Sequence, residues 1–431
     1  MSAGADDEMS GTAGAPHEDP RRFAALRDRN SGPYIGGAAL SMMADNIEHV
    51  LGYWVLWQTF HSPWLVGFQI VSHWLPFLLF SVYAGSLAER FDCRRIIQIA
   101  QGLFMLVSVL WGVLFLTGTL ELWHACVLLV LHGIAGCLWH PAEQMMLYDF
   151  AGPARLTGTV RMNATFQSLA FIAGPMVGSA LLLGVGPAYG MFINVLFYLP
   201  LTLFLVRTRF TGHTRSGARA EPQAAEDRVT FLSAFRVLGT VRRNPLLLGM
   251  ILLSGLSAVS IGPVLQNAMP DFAERLGAGS SGLAYGVLLL AYGAGGVIGG
   301  FLLEATRMVP ATGPTAVVSS LVTGASVVVF AVNGDYAVAV IALVAAGFSG
   351  ITSQSTEMSI VQLNAPESER GRVIGAYSMF SFGMMTFSGV TVAVLGSLFG
   401  IPGSVMLGGI LLLVGTLAIG AYMFWPRRSA V

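Results

Sequence analysis

The chain has 431 residues, 54% of them hydrophobic and only 11% charged, where a soluble domain carries about a quarter charged; its mean hydropathy is +0.68, so it needs lipid around it. Its 23 basic and 23 acidic residues cancel, which removes any electrostatic case for nucleic acid or another strongly charged partner. Three cysteines (Cys93, Cys126, Cys137), odd in number and at no metal-ligand spacing, imply no disulfide framework.

Residues 1–33 are polar, acidic and then arginine-bearing, without the apolar core and cleavage site of a secretory signal, and read as a cytosolic tail. A spanning helix needs about 20 mostly apolar residues. Twelve runs meet that requirement: 34–60, 64–87, 96–118, 122–147, 162–183, 189–206, 245–269, 282–303, 311–332, 336–363, 373–398 and 402–425. The expected fold is an all-α membrane protein of twelve transmembrane helices in two six-helix repeats. The first half covers residues 34–206, a cytosolic linker 207–244, the second half 245–426 and a short tail 427–431. All 23 basic residues are arginine. With both termini inside, 22 of them fall on cytosolic loops or helix ends and Arg275 alone falls outside, as the positive-inside rule requires. In the linker, Phe231, Phe235 and Leu238 recur at helical spacing against Arg228, Ser233 and Arg236, the pattern of an amphipathic helix on the inner leaflet or of a solvated linker helix.

The halves match in detail. Gly85 and Gly300 are 215 residues apart, as are Glu89 and Glu304, and Gly174 and Gly389, while Glu143 and Glu357 are 214 apart. Four pairs at nearly one offset indicate duplication, as in transporters built from parallel repeats.

The loop after the second run reads Gly85-Ser-Leu-Ala-Glu89-Arg90-Phe-Asp92-Cys-Arg94-Arg95. Glycine permits a tight passage between helices and the basic cluster holds the loop at an anionic leaflet. This resembles the signature between helices 2 and 3 of the major facilitator superfamily, with a degenerate echo at residues 300–307. The resemblance implies that the acid, here Glu89 in place of the usual aspartate, meets the start of helix 11 and braces the closed cytosolic side. In the fifth run, Gly174-Pro175-Met-Val-Gly178 resembles the antiporter signature of drug exporters, with proline freeing a carbonyl and glycines permitting close helix contact. Residues 141–156 and Arg370-Gly-Arg372-Val373 extend the resemblance to the branch holding macrolide and enterobactin-type siderophore exporters. Glu143 departs from it, standing where that branch more often has a basic residue. The expectation is a bacterial plasma-membrane protein, consistent with arginine-only usage as GC-rich codon bias. It would export small amphipathic neutral or cationic compounds in exchange for protons or Na+, or export a siderophore or other metabolite, with import as the rival direction.

Ionisable groups inside a membrane are costly and mark function by default. In the first run Asp45, Glu48 and His49 share one helical face, and Asp45 lies about 16 Å from Tyr34, near mid-membrane. A carboxyl out of water favours its protonated form, which suits it to carrying a proton; a structural pair satisfied by hydroxyls is the alternative. Glu143 and Glu357, near the inner ends of runs four and ten, are expected to form cytosolic gate ion pairs with Arg161 or Arg372, with substrate contact as the alternative. His132, eleven residues before Glu143, is either a relay or a histidine hydrogen-bonded within the bundle. No metal site is expected, since His124, His132 and His140 drift around their helix. Trp74, Phe77 and Trp139 are candidate cavity walls, with lipid-facing or core packing as the alternative. Nothing predicts an enzyme or a cofactor: no nucleophile with its base and no H-E-x-x-H is present, and the dinucleotide-like run from Gly277 to Gly282 follows no βαβ unit. A passive channel would not need duplicated gate loops.

Overall fold

The computed structural model describes residues 22–60, 63–215, 235–262, 282–306 and 308–424, with Phe272, Arg275 and Leu276. Its helices in chain order are α1 (Ala24–Arg27), α2 (Ser31–Phe60), α3 (Pro63–Arg90), α4 (Cys93–Thr117), α5 (Leu122–Ala151), α6 (Pro153–Gly184) and α7 (Gly186–Arg207), then α8 (Val237–Arg243), α9 (Pro245–Ser260), α10 (Gly282–Thr306), α11 (Gly313–Val332), α12 (Tyr336–Asn364), α13 (Arg370–Ser378) and α14 (Met385–Phe424). Among the described residues eight helices are long and apolar enough to cross a membrane, or nine if the bent pair α8 and α9 forms one span. The long helix α2 is not among the eight. It carries Asp45, Asn46, Glu48 and His49 at mid-length, and these polar side chains lower its mean hydropathy. A π-turn at Met379–Gly383 joins α13 to α14, and Gly400 (φ 72°) breaks α14 near the expected boundary between the last two runs.

Part of the expected N-terminal tail is folded. The Asp28 carboxylate accepts the backbone N–H groups of Asn30 and Ser31 at 2.9 and 3.0 Å and the Arg155 guanidinium at 2.9 Å. Partial burial works against the charged carboxylate, but these donors prevail and hold Asp28 below its ordinary range. Helix α2 therefore starts at Ser31, three residues before the expected run.

The start of the linker is also pinned. Asp149 on α5 accepts the backbone N–H groups of Gly212, Thr214 and Arg215 at 3.0, 3.1 and 2.8 Å, and Arg215 returns hydrogen bonds to the carbonyls of Asp149 and Phe150. Removing the carboxylate strands the buried Gly212 N–H, at about 1–3 kcal/mol, and frees the more exposed N–H groups of Thr214 and Arg215. Asp149→Ala is expected to lower the melting temperature of the detergent-solubilised protein and to speed proteolysis within residues 208–215. An unchanged cleavage rate there would refute the anchoring role. Of the expected amphipathic linker helix, Arg228, Phe231 and Ser233 lie outside the described residues. The described helix α8 buries Val237 and Val241 against protein and leaves Leu238 partly exposed.

The duplicated glycines mark matching contacts. A Cβ on Gly85 would overlap the carbonyl oxygen of Gly371, and one on Gly300 would overlap the Thr165 hydroxyl. The end of α3 thus lies directly on α13 and the end of α10 on α6, so each half lends a glycine-bearing helix to the other.

Candidate functional site

Two groups of residues stand out: a latch between the halves and a buried carboxylate–histidine cluster. At the latch, Glu89 accepts the backbone N–H of Arg372 at 2.6 Å and its Nε at 2.8 Å. Arg372 is the third residue of α13, so the carboxylate also sits at a helix N-terminus, where backbone N–H groups favour an anion. The meeting of Glu89 with the start of this helix agrees with what the motif resemblance implies, and the longer side chain of glutamate reaches it. Of the basic residues in the same loop, Arg94 binds Asp92 and the Thr208 carbonyl, Arg95 reaches only Gln98, and Arg90 is exposed. Arg370 is buried with its guanidinium 3.7 Å from the centroid of the Tyr148 ring on α5.

Further contacts continue the latch along the interface. Gln362 donates to Gln144 at 2.8 Å, and His140 Nδ1 lies 2.8 Å from the Ser378 hydroxyl. The Phe382 ring stacks on Trp74 at 6.0 Å and stands edge-on to His140 at 4.7 Å. These contacts and the Glu89–Arg372 pair all join residues of α3 and α5 to residues of the second half. Trp74 and Phe77 therefore line the interface between the halves. Trp139 does not: it is 4% exposed and packs on Phe104 in the core of the first half, so its assignment as a cavity wall is corrected.

The expected gate ion pairs of Glu143 and Glu357 are not formed. Glu143 accepts amides from Asn163 and Gln167 at 3.2 and 2.9 Å; Glu357 accepts hydroxyls from Ser353 at 2.6 Å and Tyr377 at 3.5 Å. The reason is helical phase. Asn163 and Gln167, four apart, share the face turned to Glu143, whereas Arg161 lies about 200° around the helix from Asn163 and donates to the Val309 carbonyl. Arg372 is committed to Glu89 and, at 3.7 Å, to Glu369.

The cluster is built on α2. His132 of α5 lies with Nε2 2.7 Å from Asp45 Oδ1 and Nδ1 2.9 Å from Glu48 Oε1, bridging two carboxylates. His49 Nδ1 is 3.8 Å from Asp45 Oδ2, so the shared face read from the spacing is real. The Ser108 hydroxyl donates to Glu48 Oε2, and Asn194 donates to Ser108 at 3.3 Å. Sequence reasoning missed His73 on α3, whose ring is 4.8 Å from that of His49 and 5.4 Å from that of His132. It was detectable as one more ionisable residue inside a spanning run. The Gly174-Pro175-Met-Val-Gly178 stretch holds α2 in place. A Cβ on Gly174 would overlap that of Asn46, and one on Gly178 would press on Val50, so α6 touches α2 beside the ionisable residues.

The histidine spacing that argued against a metal site holds within α5: His124 caps the helix start at Glu121 and His140 faces Ser378. It carried no information on other helices. One ligand atom each from Asp45, His49, His73 and His132 lie within 4.8 Å of one another, drawn from three helices.

Residues 33–428 match the transmembrane secretion effector family. Among characterised relatives, the staphyloferrin A transporter of Staphylococcus aureus is 22% identical over 387 residues, 87% of this chain and 91% of the relative. The enterobactin exporter EntS of Salmonella typhimurium is 24% identical over 328 residues, 74% of each chain. The fold is similar to that of the human organic anion transporter MFSD10, with a TM-score of 0.71 at 15% identity, covering 91% of this chain and 99% of that one. It is also similar to the E. coli fucose:proton symporter FucP in the outward conformation, with a TM-score of 0.67 at 13% identity, covering 91% and 98%.

Proposed function

This chain belongs to the transmembrane secretion effector family, a branch of the major facilitator superfamily, and is a multi-pass transporter and not an enzyme; from that premise we propose that it exports a small compound in exchange for protons by alternating access. The observation that carries the reading is the His132 bridge between Asp45 and Glu48, a buried group of two carboxylates and an imidazole, side chains able to bind and release a proton. Such a group is costly in a membrane unless it is used. The latch at Glu89 and Arg372 supplies the other requirement, a closure that must open on one side before the other. In this reading both termini and the arginine-rich ends face the cytosol, twelve helices cross the bacterial plasma membrane, and the described state is closed toward the cytosol.

For the cargo, the absence of arginine from the middle of any apolar run supports a neutral or cationic amphipathic compound. A siderophore or related metabolite is the second reading, favoured by the similarity to the staphyloferrin A transporter and the enterobactin exporter. A strain lacking the protein tests the direction: one metabolite is expected to be depleted from the medium and to accumulate in the cells. Loss of a medium component's uptake instead would reverse the assignment.

A further inference from the structure

We infer that Asp45, His49, His73 and His132 form a binding site for one divalent transition-metal cation of the zinc type. The four donor atoms lie within 4.8 Å of one another. In a tetrahedral zinc site with bonds of about 2.0–2.1 Å, neighbouring donors sit about 3.4 Å apart. The widest pair must therefore close by about 1.4 Å, which side-chain rotation of histidines on three separate helices supplies without moving the backbone. The rings already face one another, with centroids 4.8, 5.1 and 5.4 Å apart. The three histidines and Glu48 also border a cavity of about 10 Å³, enough for one water-sized occupant, which extends toward Tyr53 and Gln69 and does not reach Asp45.

The surroundings fit a cation in three respects. His49 Nε2 and His73 Nδ1 are buried without a hydrogen-bond partner, so the two rings have donor or acceptor capacity that the protein alone does not satisfy. Glu48 holds His132 Nδ1 at 2.9 Å and is itself held by Ser108, which orients the imidazole with Nε2 toward Asp45. This carboxylate–histidine arrangement is the one that fixes the tautomer of a metal-ligating histidine. With the histidines neutral, a dication offsets the charges of Asp45 and Glu48, two carboxylates held out of water. Three imidazoles and a carboxylate suit zinc, cobalt, nickel or copper and not calcium or magnesium.

His132 Nε2 lies 2.7 Å from Asp45 Oδ1, so a cation seated among the four residues would take both atoms as ligands. The site shares Asp45 and His132 with the proposed proton pathway but stands on its own geometry, and its test does not involve transport.

The test uses the tag-free full-length protein in lipid nanodiscs, titrated with Co2+ followed by its visible absorption and then with Zn2+ in competition. The expected result is one ion per chain and a zinc X-ray absorption spectrum whose first shell shows histidine imidazoles. Glu48→Gln is expected to weaken affinity about 10- to 100-fold, and His73→Gln to weaken it further. No binding, a shell without imidazoles, or unchanged affinity in His73→Gln overturns the proposal. Should His73→Gln fail to fold, the wild-type spectrum decides. Proton-driven transport by wild-type protein in excess chelator reports separately on the export reading.

Discussion

Asp45→Asn is expected to abolish uphill export driven by a pH gradient in proteoliposomes while leaving downhill exchange and part of cargo binding intact. An amide is nearly isosteric with the carboxyl group but cannot titrate, so packing against the Gly174 stretch survives and the proton cycle does not. Exchange requires that proton and cargo exclude one another at one group. Asp45, whose side chain keeps 12% of its surface exposed against 4% for Glu48, is the better placed to meet both. Glu48 is enclosed by His132 and Ser108, and Glu48→Gln is expected to slow transport without uncoupling it. The readouts are the steady-state accumulation ratio, expected to fall to unity in Asp45→Asn, and substrate-induced proton release, expected to vanish. If Asp45→Asn still concentrates cargo with proton release intact, the residue is structural and the carrier must be sought at Glu48, Glu143 or Glu357.

Gly85→Val is expected to stop transport at the opposite step, by denying the protein its described closed state. The added Cβ overlaps the backbone carbonyl of Gly371, an atom that cannot swing aside as a side-chain end would. Overpacking of this kind costs about 1–3 kcal/mol, which depopulates the closed state by about 5- to 150-fold. Cysteine labelling at the arginine-rich face should rise in proportion. Glu89→Gln should act in the same direction with the volume unchanged, since it removes the charge that meets the Arg372 guanidinium and the amino end of α13. The pair separates steric from electrostatic closure. If both variants label and transport like wild type, the loop is only a topology signal and the latch has no part in transport.

What was legible in the sequence was what repeats locally. Apolar runs of spanning length, the i, i+4 face of Asp45 and His49, and the equal offsets of Gly85 with Gly300 and Glu89 with Glu304 are properties of a chain read along itself, because helical geometry converts spacing into a shared face without reference to any other element. The motif around Gly85 was legible as well, but it pointed Glu89 only to the start of a later helix and left Arg372 assigned to Glu143 or Glu357. What only the tertiary structure decided was which faces meet. Arg161 and Asn163 are neighbours in sequence yet look in opposite directions, so proximity along the chain misassigned the partner of Glu143 to the arginine when the amides hold it. Gln144 and Gln362 are 218 residues apart and ordinary in composition, and only the docking of α5 on the second half makes them a pair. The histidine cluster is the same case. No spacing connects His73 and His132 to Asp45, because a group assembled from three helices depends on their packing and rotation, which close glycine contacts such as that of Gly174 with Asn46 settle in space.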